Sequence, residues 1–454
     1  MALRLSYSMG DNFMFGRPLA ELRIFAILGT LLSRGLSTIL SFVLLLVVAR
    51  LLSVEDYGQY AFLLSVVMGA GLLATLGQTV VLVKYFDEDL SAQAGVNPAL
   101  LKRASRYMLY GSVLIVVSAA IFGLSERAAP WLGWIEWQPH YSAGALVVLA
   151  LGSIAFQWAE YWQARYRAEG RFGLALIPRE NAWRALAVTC LLAIWLLPAF
   201  SELRNMLRAN EALAIVMACL AICILPQLWV AVRTASPAQE PFEQPRGENR
   251  SFALNTAMNA IAQHTEAIMV GLVLGFTELA VFYVVWRIIM LLYLPATSIE
   301  TVAAPMIANA LRGDDHERTQ RLVGRFSAAT FVLATSGGLV LLLIYPFILQ
   351  LFNSELEASF AFVAVMVAMA LIQSFFGLGT GYLMIGGGEA FFLAYRTILH
   401  VIYMVALAIG GFVSGLMGIA VVMMINITVE SLLAWWWCRQ NLSLDITALA
   451  ALRK

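Results

Sequence analysis

The chain contains little charge and almost no lysine. Only 13% of its 454 residues are charged, which is about half the share found in soluble domains. None of the three lysines, Lys84, Lys102 and Lys454, follows a glycine. The Gly-Lys pair of a phosphate-binding loop is therefore missing, and we expect no ATP hydrolysis within this chain. A net charge of +1 provides no overall attraction to nucleic acid, so a nucleic-acid partner is not expected.

Cysteine and histidine are also scarce, with four residues of each. The cysteines lie in or at the ends of apolar stretches and form no C-x-x-C motif, so neither a disulfide framework nor a zinc site is expected. The segment from His316 to Gln320 begins like a zinc-protease helix, but glutamine stands where the second histidine ligand would be. We therefore expect neither a bound metal nor a cofactor.

Apolar residues dominate the remainder of the chain. Hydrophobic residues make up 61% of it, with a mean hydropathy of +0.80, against about 45–50% in soluble domains. A membrane-spanning helix needs about 20 predominantly apolar residues, and this length predicts about 12 spans. The chain is therefore expected to be an all-α polytopic membrane protein. The expected spans are 24–50, 57–84, 104–124, 141–163, 174–197, 211–232, 253–275, 279–304, 326–349, 359–384, 392–413 and 417–437.

The segment from Ala49 to Lys84 shows most clearly how consecutive spans are joined. Arg50 closes one long apolar helix, residues 53–56 form a turn, and a second apolar helix begins at Tyr57. The turn is too short to hold a domain, and the helices are too long and too apolar for a soluble core. Two spans joined by a tight hairpin are therefore expected.

A polar stretch divides the chain into two parts. Residues 234–250 contain three prolines and no apolar periodicity, which is typical of a flexible cytoplasmic linker. It separates an N-terminal six-helix bundle (1–233) from a C-terminal six-helix bundle (251–454). The hairpins at 51–60 and 274–283 occupy the same position in each half and share leucine, glutamate and tyrosine at a common offset. Two six-span halves form a parallel repeat, and such transporters carry substrate in the cleft between the halves.

The distribution of basic residues predicts the orientation in the membrane. Of the 29 arginines and lysines, 22 fall in connections on one side, four on the other side, and three inside spans. Because basic residues concentrate in cytoplasmic connections, both termini are expected in the cytoplasm, which agrees with an even number of spans.

Three arginines lie inside the expected spans, where ionisable groups are costly and usually face a cavity or a partner. Arg34 is about two turns inside the first span, and Arg287 is about two turns below the outer end of the eighth. Either they line a central cavity and attract an anionic substrate, or each snorkels or pairs with a carboxylate. Arg184 lies four residues from Glu180, and a local helix ion pair would explain both residues.

Other polar side chains also occur at membrane depth. Glu266 follows His264 well inside the seventh span, and Glu430 lies deep in the twelfth. Such carboxylates suit a carrier coupled to protons or sodium ions, whereas the alternative is a hydrogen-bonded polar group that serves packing. Gln78 in the second span is a further cavity candidate. Glu160 lies near the inner interface, where its side chain is expected to snorkel.

Several local patterns resemble one family of membrane proteins. The segment ARLLSVEDYGQY at 49–60 is similar to A-R-L-L-G-x-x-x-Y-G-x-Y, a pattern of the Wzx-type polysaccharide flippases of the multidrug/oligosaccharidyl-lipid/polysaccharide (MOP) exporter superfamily, with Ser53 where glycine is common. Lys84 stands where that family usually has arginine, and Glu266 takes the place of a frequent aspartate. The segment QARYRAEGRF at 163–172 resembles the family's loop after the fourth span.

The resemblance implies two six-helix bundles around a V-shaped central cavity. It implies movement of an undecaprenyl-pyrophosphate-linked oligosaccharide from the inner to the outer leaflet of a bacterial inner membrane by alternating access. The route would serve a surface polysaccharide such as O-antigen, capsule or exopolysaccharide, with a polymerase and a chain-length regulator as neighbours. The residues expected to bind pyrophosphate or acidic sugars are Arg34, Arg287, Arg184 and Lys84. Those expected to serve ion coupling or to line the cavity are Glu266, His264, Glu430 and Gln78.

Two other functions compete with this interpretation. A cation-coupled multidrug exporter of the same superfamily would share the span count and the carboxylates within spans, although the turn motif favours the polysaccharide branch. A membrane polymerase or ligase acting on lipid-linked sugars would be expected to carry a large outer loop with catalytic groups. The longest outer connection, residues 125–140, is short and has four ionisable residues. It therefore favours a transporter over an enzyme.

Overall fold

The regular structure of this chain is helical. The computed structural model describes residues 19–85, 98–132, 142–169, 171–233, 248–313 and 315–452, and every regular element in these ranges is a helix. The expected all-α class is therefore confirmed. Most of the predicted linker, 234–247, lies outside the described residues, and its last three residues already belong to a helix.

The N-terminal half contains six span-length helical segments in its described residues, and four of them are each one continuous helix. The helices are α1 (Leu19–Leu51), α2 (Val54–Ala74), α3 (Gln78–Lys84), α4 (Pro98–Leu132), α5 (Ala143–Ala168), α6 (Phe172–Leu176), α7 (Trp183–Leu196), α8 (Ser201–Met206) and α9 (Ala209–Arg233). Helices α2 and α3 together form the second span, and a π turn, Ile177–Ala182, joins α6 to α7 within the fifth.

The C-terminal half repeats this organisation. Its helices are α10 (Glu248–Val273), α11 (Phe276–Ile289), α12 (Leu294–Arg312), α13 (His316–Phe352), α14 (Phe360–Phe375), α15 (Thr380–Ile385) and α16 (Glu389–Asn441). A short 3-10 helix, Met290–Tyr293, joins α11 to α12. Helix α16 contains two spans, because Ser414 and Gly415 have non-helical backbone angles in its middle. A final 3-10 helix, Ala448–Leu452, packs against α13.

Each of the twelve expected spans coincides with a helical segment of the described chain. By length and apolarity alone, eight helices in the described ranges qualify as spans, or nine if the bent pair around Leu197 counts as one. Three of the twelve expected spans are missing from this count. Helix α16 contains two spans but is counted once, the described apolar part of α1 is short, and α10 carries more polar residues. The simple count therefore falls below twelve for three separate reasons.

The break within the second span has a local cause. Leu76 and Gly77 have φ angles of 49° and 78°, a left-handed conformation that glycine adopts without penalty. A Cβ atom on Gly77 would also lie 2.6 Å from the backbone nitrogen of Ala253 in α10. Glycine is thus required here both by the backbone conformation and by the close approach of the other half.

The two halves meet along a seam between α2 and the helices α10 and α11. At Gly58 an added Cβ would lie 1.7 Å from the carbonyl oxygen of Phe276, and at Gly69 it would lie 3.5 Å from the ring of His264. Small residues let helix backbones approach closely, which is how helices associate where water supplies no hydrophobic driving force. The seam therefore depends on glycine at successive levels.

The cores of the halves are continuous at one end and separate at the other. Among the described residues, one large apolar cluster draws on both halves and contains Leu52 and Phe352 near the end that holds Arg50, here called the Arg50 end. Near the opposite end, the Lys84 end, each half has its own smaller cluster, one around Leu82 and the other around Val323. The two bundles therefore share one core at the Arg50 end and have separate cores at the Lys84 end.

Candidate transport site

A polar network in the N-terminal half forms around the π turn. Glu180 accepts hydrogen bonds from Ser37 of α1 (3.1 Å) and from Gln163 of α5 (2.9 Å). Arg184 donates to Ser37 (3.0 Å) and lies 3.6 Å from the Glu180 carboxylate. A π turn widens the helix by one residue and is common at functional sites. Here it turns Glu180 toward two neighbouring helices at once, so three elements share one carboxylate.

The local ion pair expected between Arg184 and Glu180 is present, and the network extends beyond it. Arg179 contacts both Glu160 and Glu180, and its Nε lies 2.8 Å from a Glu160 oxygen. Glu160 had been expected to snorkel to the interface. That expectation is wrong, because an ion pair with Arg179, largely shielded from solvent, satisfies the carboxylate within the protein. The sequence signal for this pair is the run Arg179-Glu180 next to Pro178, which interrupts an apolar span.

Arg287 in the C-terminal half has a different environment. Its Nη2 donates to the hydroxyl of Tyr283 (2.6 Å), and its guanidinium lies 4.7 Å from the centre of the Tyr283 ring. Tyr57 and Tyr60 also interact with it electrostatically, and no described carboxylate pairs with it. The sequence left open whether Arg287 pairs with a carboxylate. Among the described side chains, it has no carboxylate partner.

Three basic groups from both halves lie within electrostatic range of one another. Arg287 interacts with Arg184 across the interface between the halves and with His264 on α10. Arg184 has the Glu180 carboxylate beside it, whereas no described carboxylate pairs with Arg287. The two arginines carry like charges that repel each other, so an anion near both of them is favoured electrostatically.

The C-terminal half contains a second polar cluster. Glu266 accepts a hydrogen bond from Tyr403 (2.9 Å), and Glu430 accepts one from Asn426 (3.2 Å). The two carboxylates interact electrostatically, and Arg396 acts on Glu430. Glu266 and Asn426 line a cavity of about 390 Å³ together with Gln373, Trp286, Tyr293, Tyr403 and four methionines.

The remaining expected site residues lie elsewhere. Arg34 belongs to α1, and its side chain lies outside the described residues. Gln78 is fully buried at the break between α2 and α3, where it donates to the carbonyl of Leu76 (3.3 Å). Lys84 lines a pocket of about 400 Å³ at the Lys84 end, and its ammonium lies 4.9 Å from the ring of Phe252. The structure therefore brings Arg184, Arg287 and His264 together, and it places Gln78 and Lys84 at the Lys84 end.

The sequence did not predict that tyrosines surround Arg287. Tyr57 and Tyr60 belong to the hairpin motif and looked structural, and Tyr283 matched Tyr60 only through the offset between the halves. The signal that could have found them is their spacing in the sequence. Tyr57 and Tyr60 are three residues apart, and Tyr283 and Arg287 are four apart, so each pair lies on one helix face. Only the contact of α2 with α11 joins the two pairs.

The geometry defines a polytopic membrane protein of two helical halves, with charged side chains at membrane depth near the interface between them. A model of the family described as polysaccharide biosynthesis protein matches residues 26–311, and the chain belongs to this family. Solved MOP-superfamily transporters share the fold over almost the whole chain. A search of curated protein sequences gives no match.

Three solved structures illustrate the shared fold. An inward-facing multidrug resistance MATE family transporter of the MOP superfamily matches with a TM-score of 0.66 at 16% identity, over 90% of this chain and 94% of that one. An outward-facing transporter of the same description gives 0.55 at 16% identity, over 92% and 95%. A MOP superfamily transporter from Pyrococcus furiosus, described as having a binding pocket of reverse polarity, gives 0.54 at 14% identity, over 90% and 93%. The chain is thus a MOP-superfamily exporter by family and fold.

Proposed function

We propose that this exporter is a flippase that moves an undecaprenyl-pyrophosphate-linked oligosaccharide from the inner to the outer leaflet of a bacterial inner membrane. The observation that carries the proposal is Arg287, an arginine at membrane depth with tyrosines and no described carboxylate around it. A buried cation without a counter-charge is costly unless a ligand supplies one. In this proposal, the pyrophosphate or an acidic sugar of the substrate supplies the negative charge that balances Arg287.

The chemistry of arginine suits this substrate. A guanidinium presents a planar fork of N–H donors that matches the oxygens of a phosphoryl or carboxylate group, and such charge-assisted hydrogen bonds are the strong ones. Arg184 lies across the interface from Arg287, so one anionic head group can be held from both halves. The sugar would occupy the polar cavity while the lipid tail stays in the bilayer between the halves.

The distribution of the apolar cores supports alternating access. Shared packing at the Arg50 end and separate cores at the Lys84 end correspond to a state open toward the Lys84 end. The higher TM-score to the inward-facing than to the outward-facing transporter agrees with it. With the termini in the cytoplasm, the Lys84 end faces the cytoplasm, where the substrate would be loaded. A polymerase and a chain-length regulator are proposed as partners after release.

We propose ion coupling at the polar cluster of the C-terminal half. Glu266 and Glu430 interact with each other, and Glu266 opens into a cavity. Two interacting carboxylates at membrane depth are suited to take up and release a proton or a sodium ion as the halves move. The energy of the ion gradient would then drive the return of the empty carrier.

One observation favours the competing function, a multidrug exporter. The cavity beside Glu266 is lined by Trp286, Tyr293, Tyr403 and four methionines. Aromatic faces attract organic cations, and flexible methionines adapt to ligands of different shape. A lipophilic cation could therefore bind there, with Glu266 as its counter-charge.

The deciding experiment locates the lipid-linked oligosaccharide in a host that lacks the gene. Oriented inner-membrane vesicles are treated with an impermeant glycosidase. Accumulation on the cytoplasmic face, reversed by the restored gene, supports a flippase. Normal translocation with unpolymerised repeat units on the outer face would contradict it and indicate an enzyme. A second flippase in the host is deleted first, so that a normal distribution counts against the proposal.

The same assay tests Arg287 and separates the two transport functions. Arg287→Gln removes charge-assisted hydrogen bonds, each contributing about 1.5–3 kcal/mol, so translocation should fall by about 10-fold or more. Arg321→Gln is the matched control, because Arg321 is exposed and its ion-pair partner among the described residues is Glu317 of its own helix. Ethidium efflux is measured in parallel. Efflux by the wild type, with oligosaccharide translocation unaffected by deletion of the gene, would establish the multidrug exporter instead.

A further inference from the structure

Four residues at the Arg50 end form a cluster that joins the two halves. Tyr57 and Tyr60 lie one turn apart on α2, and Tyr283 and Arg287 lie one turn apart on α11. The close approach of the helices at Gly58 brings the rings of Tyr57 and Tyr283 edge to face, with centroids 6.5 Å apart. We call Tyr57, Tyr60, Tyr283 and Arg287 the tyrosine–arginine cluster.

Two hydroxyl groups of this cluster are buried without a partner. Tyr57 and Tyr60 are 1% and 0% exposed, and neither hydroxyl oxygen has a hydrogen-bond partner in the described part of the chain. The Nε of Arg287 is also buried without an acceptor there. By contrast, the buried Tyr161 hydroxyl lies 3.0 Å from the hydroxyl of Ser105. Unsatisfied buried polar groups are rare, so three in one cluster indicate a missing partner.

The inventory of donors and acceptors shows what kind of partner is missing. A guanidinium has only donors, and Arg287 uses one nitrogen to donate to Tyr283. The Tyr283 oxygen then accepts, which leaves its own hydrogen free to donate. Each of the other two phenols also offers a hydrogen. A cation or an apolar group would leave these donors unsatisfied, whereas a group with several acceptor oxygens and a negative charge satisfies them together.

We infer that the hydroxyl groups of Tyr57 and Tyr60, together with Arg287, bind one oxyanion of the transported substrate at the Arg50 end of the seam between the halves. This inference rests on the proposed function and adds residues from the N-terminal half to the site. The oxyanion is either a phosphoryl group of the lipid-linked head or the carboxylate of an acidic sugar, because both present the same acceptor oxygens.

The position of the cluster has a consequence for release. Two of its members belong to α2 and two to α11, so a bound oxyanion holds both halves together at the Arg50 end. Separation of α2 from α11 removes the two tyrosine hydroxyls from the ligand. The substrate is therefore retained until this end opens, and opening itself lowers the affinity of the site.

The test removes hydroxyl groups without removing rings. Tyr57→Phe, Tyr60→Phe and the double variant are purified in lipid nanodiscs, and their dissociation constants for undecaprenyl diphosphate, inorganic diphosphate and glucuronic acid are compared with those of the wild type. Thermal unfolding of the ligand-free protein is measured in parallel. The matched control is Tyr161→Phe, which deletes a buried hydroxyl that has a partner. Arg287→Gln is included as a reference.

The expected result is opposite for affinity and for stability. The double variant should bind at least about 10-fold more weakly, as expected for a lost hydrogen bond to a charged group. Its ligand-free unfolding temperature should stay the same or rise, because unsatisfied hydroxyls have been removed. The control should keep its affinity and unfold at a lower temperature. A preference for diphosphate or for glucuronic acid identifies the source of the oxyanion.

Two outcomes would overturn the inference at different levels. If Arg287→Gln weakens binding while the double phenylalanine variant binds like the wild type, the hydroxyls do not contact the ligand, and the proposed function still stands. If the wild type binds none of the three probes, or if Arg287→Gln binds them unchanged, the proposed function itself fails.

Discussion

Arg50 and Asn353 each cap the helix that belongs to the other half. The Nε and Nη2 of Arg50 donate to the carbonyl oxygens of Leu351 and Gln350, at 2.7 and 2.9 Å, in the last turn of α13. Asn353 donates to the carbonyl oxygen of Ala49 in the last turn of α1, at 3.2 Å. Helix C-termini leave carbonyl groups unsatisfied and carry partial negative charge. Opening of the Arg50 end therefore removes a cap from each of the two helices.

Removal of one cap should favour the open state at this end. Arg50→Ala deletes both hydrogen bonds to α13, and a net loss of about 1 kcal/mol corresponds to about a fivefold shift in a two-state equilibrium. The measurement is the rate at which an impermeant maleimide labels Leu52→Cys, a buried position in the closed end, in a background without the native cysteines. Labelling should accelerate several-fold.

The control for this prediction is Arg208→Ala. Arg208 is exposed at the same end and pairs with Asp56 of its own half at 3.3 Å. Its removal should leave the labelling rate unchanged. Equal rates for Arg50→Ala and the unmodified protein would show that the two caps do not hold this end closed.

Gly58→Ala should damage the seam between the halves. The added Cβ would lie 1.7 Å from the carbonyl oxygen of Phe276, so the helices must move apart, and overpacking of this kind costs about 1–3 kcal/mol. Thermal unfolding in detergent measures the loss. Gly35→Ala, where nothing lies within 4 Å of the new atom, should be neutral or stabilising. A Gly58→Ala variant as stable as that control would contradict the tight seam.

Glu180→Gln should destabilise the N-terminal half. The substitution removes the charge that Arg179 and Arg184 share, and loss of one partner from a buried ionic network costs about 3–5 kcal/mol. The unfolding temperature should drop, and overexpression should yield less folded protein. Glu169→Gln serves as the comparison, because Glu169 pairs with Arg165, one turn away on α5, and with the exposed Arg171, so that its contacts stay local in the chain. Equal unfolding temperatures for Glu180→Gln and Glu169→Gln would contradict the shared carboxylate.

Glu266→Gln should uncouple transport from the ion gradient. Glutamine keeps the shape and can still bond to Tyr403, but it cannot exchange a proton or neutralise a sodium ion. Translocation into vesicles with an imposed proton or sodium gradient should lose its acceleration, while substrate affinity stays within about threefold, less than the tenfold that 1.4 kcal/mol would produce. Glu389→Gln, at the exposed start of α16, should keep its response. A full response of Glu266→Gln to both gradients would place coupling elsewhere.

The local patterns of the chain were sufficient for the architecture. The length of apolar runs predicted twelve segments that are helical in the described chain, because a helix that satisfies its own backbone hydrogen bonds is the available way for such a run to cross a bilayer. The same local reasoning correctly anticipated the pair Arg184–Glu180, since four residues separate them on one helix. Family membership followed from short motifs around Arg50 and Tyr57, and the match over residues 26–311 confirms it.

Contacts between distant segments decided the site. Sequence alone could not tell whether Arg287 pairs with a carboxylate, because its neighbours Tyr57 and Tyr60 lie more than 200 residues away in the chain and meet it only where α2 packs on α11. Sequence alone also assigned Glu160 to the interface, because the run Arg179-Glu180 next to Pro178 does not show that a π turn brings Arg179 to Glu160. Amino-acid sequence thus determined which segments enter the membrane, through the free energy of burying apolar side chains and backbone groups. Tertiary structure determined which charges remain without partners, because pairing depends on how the helices pack.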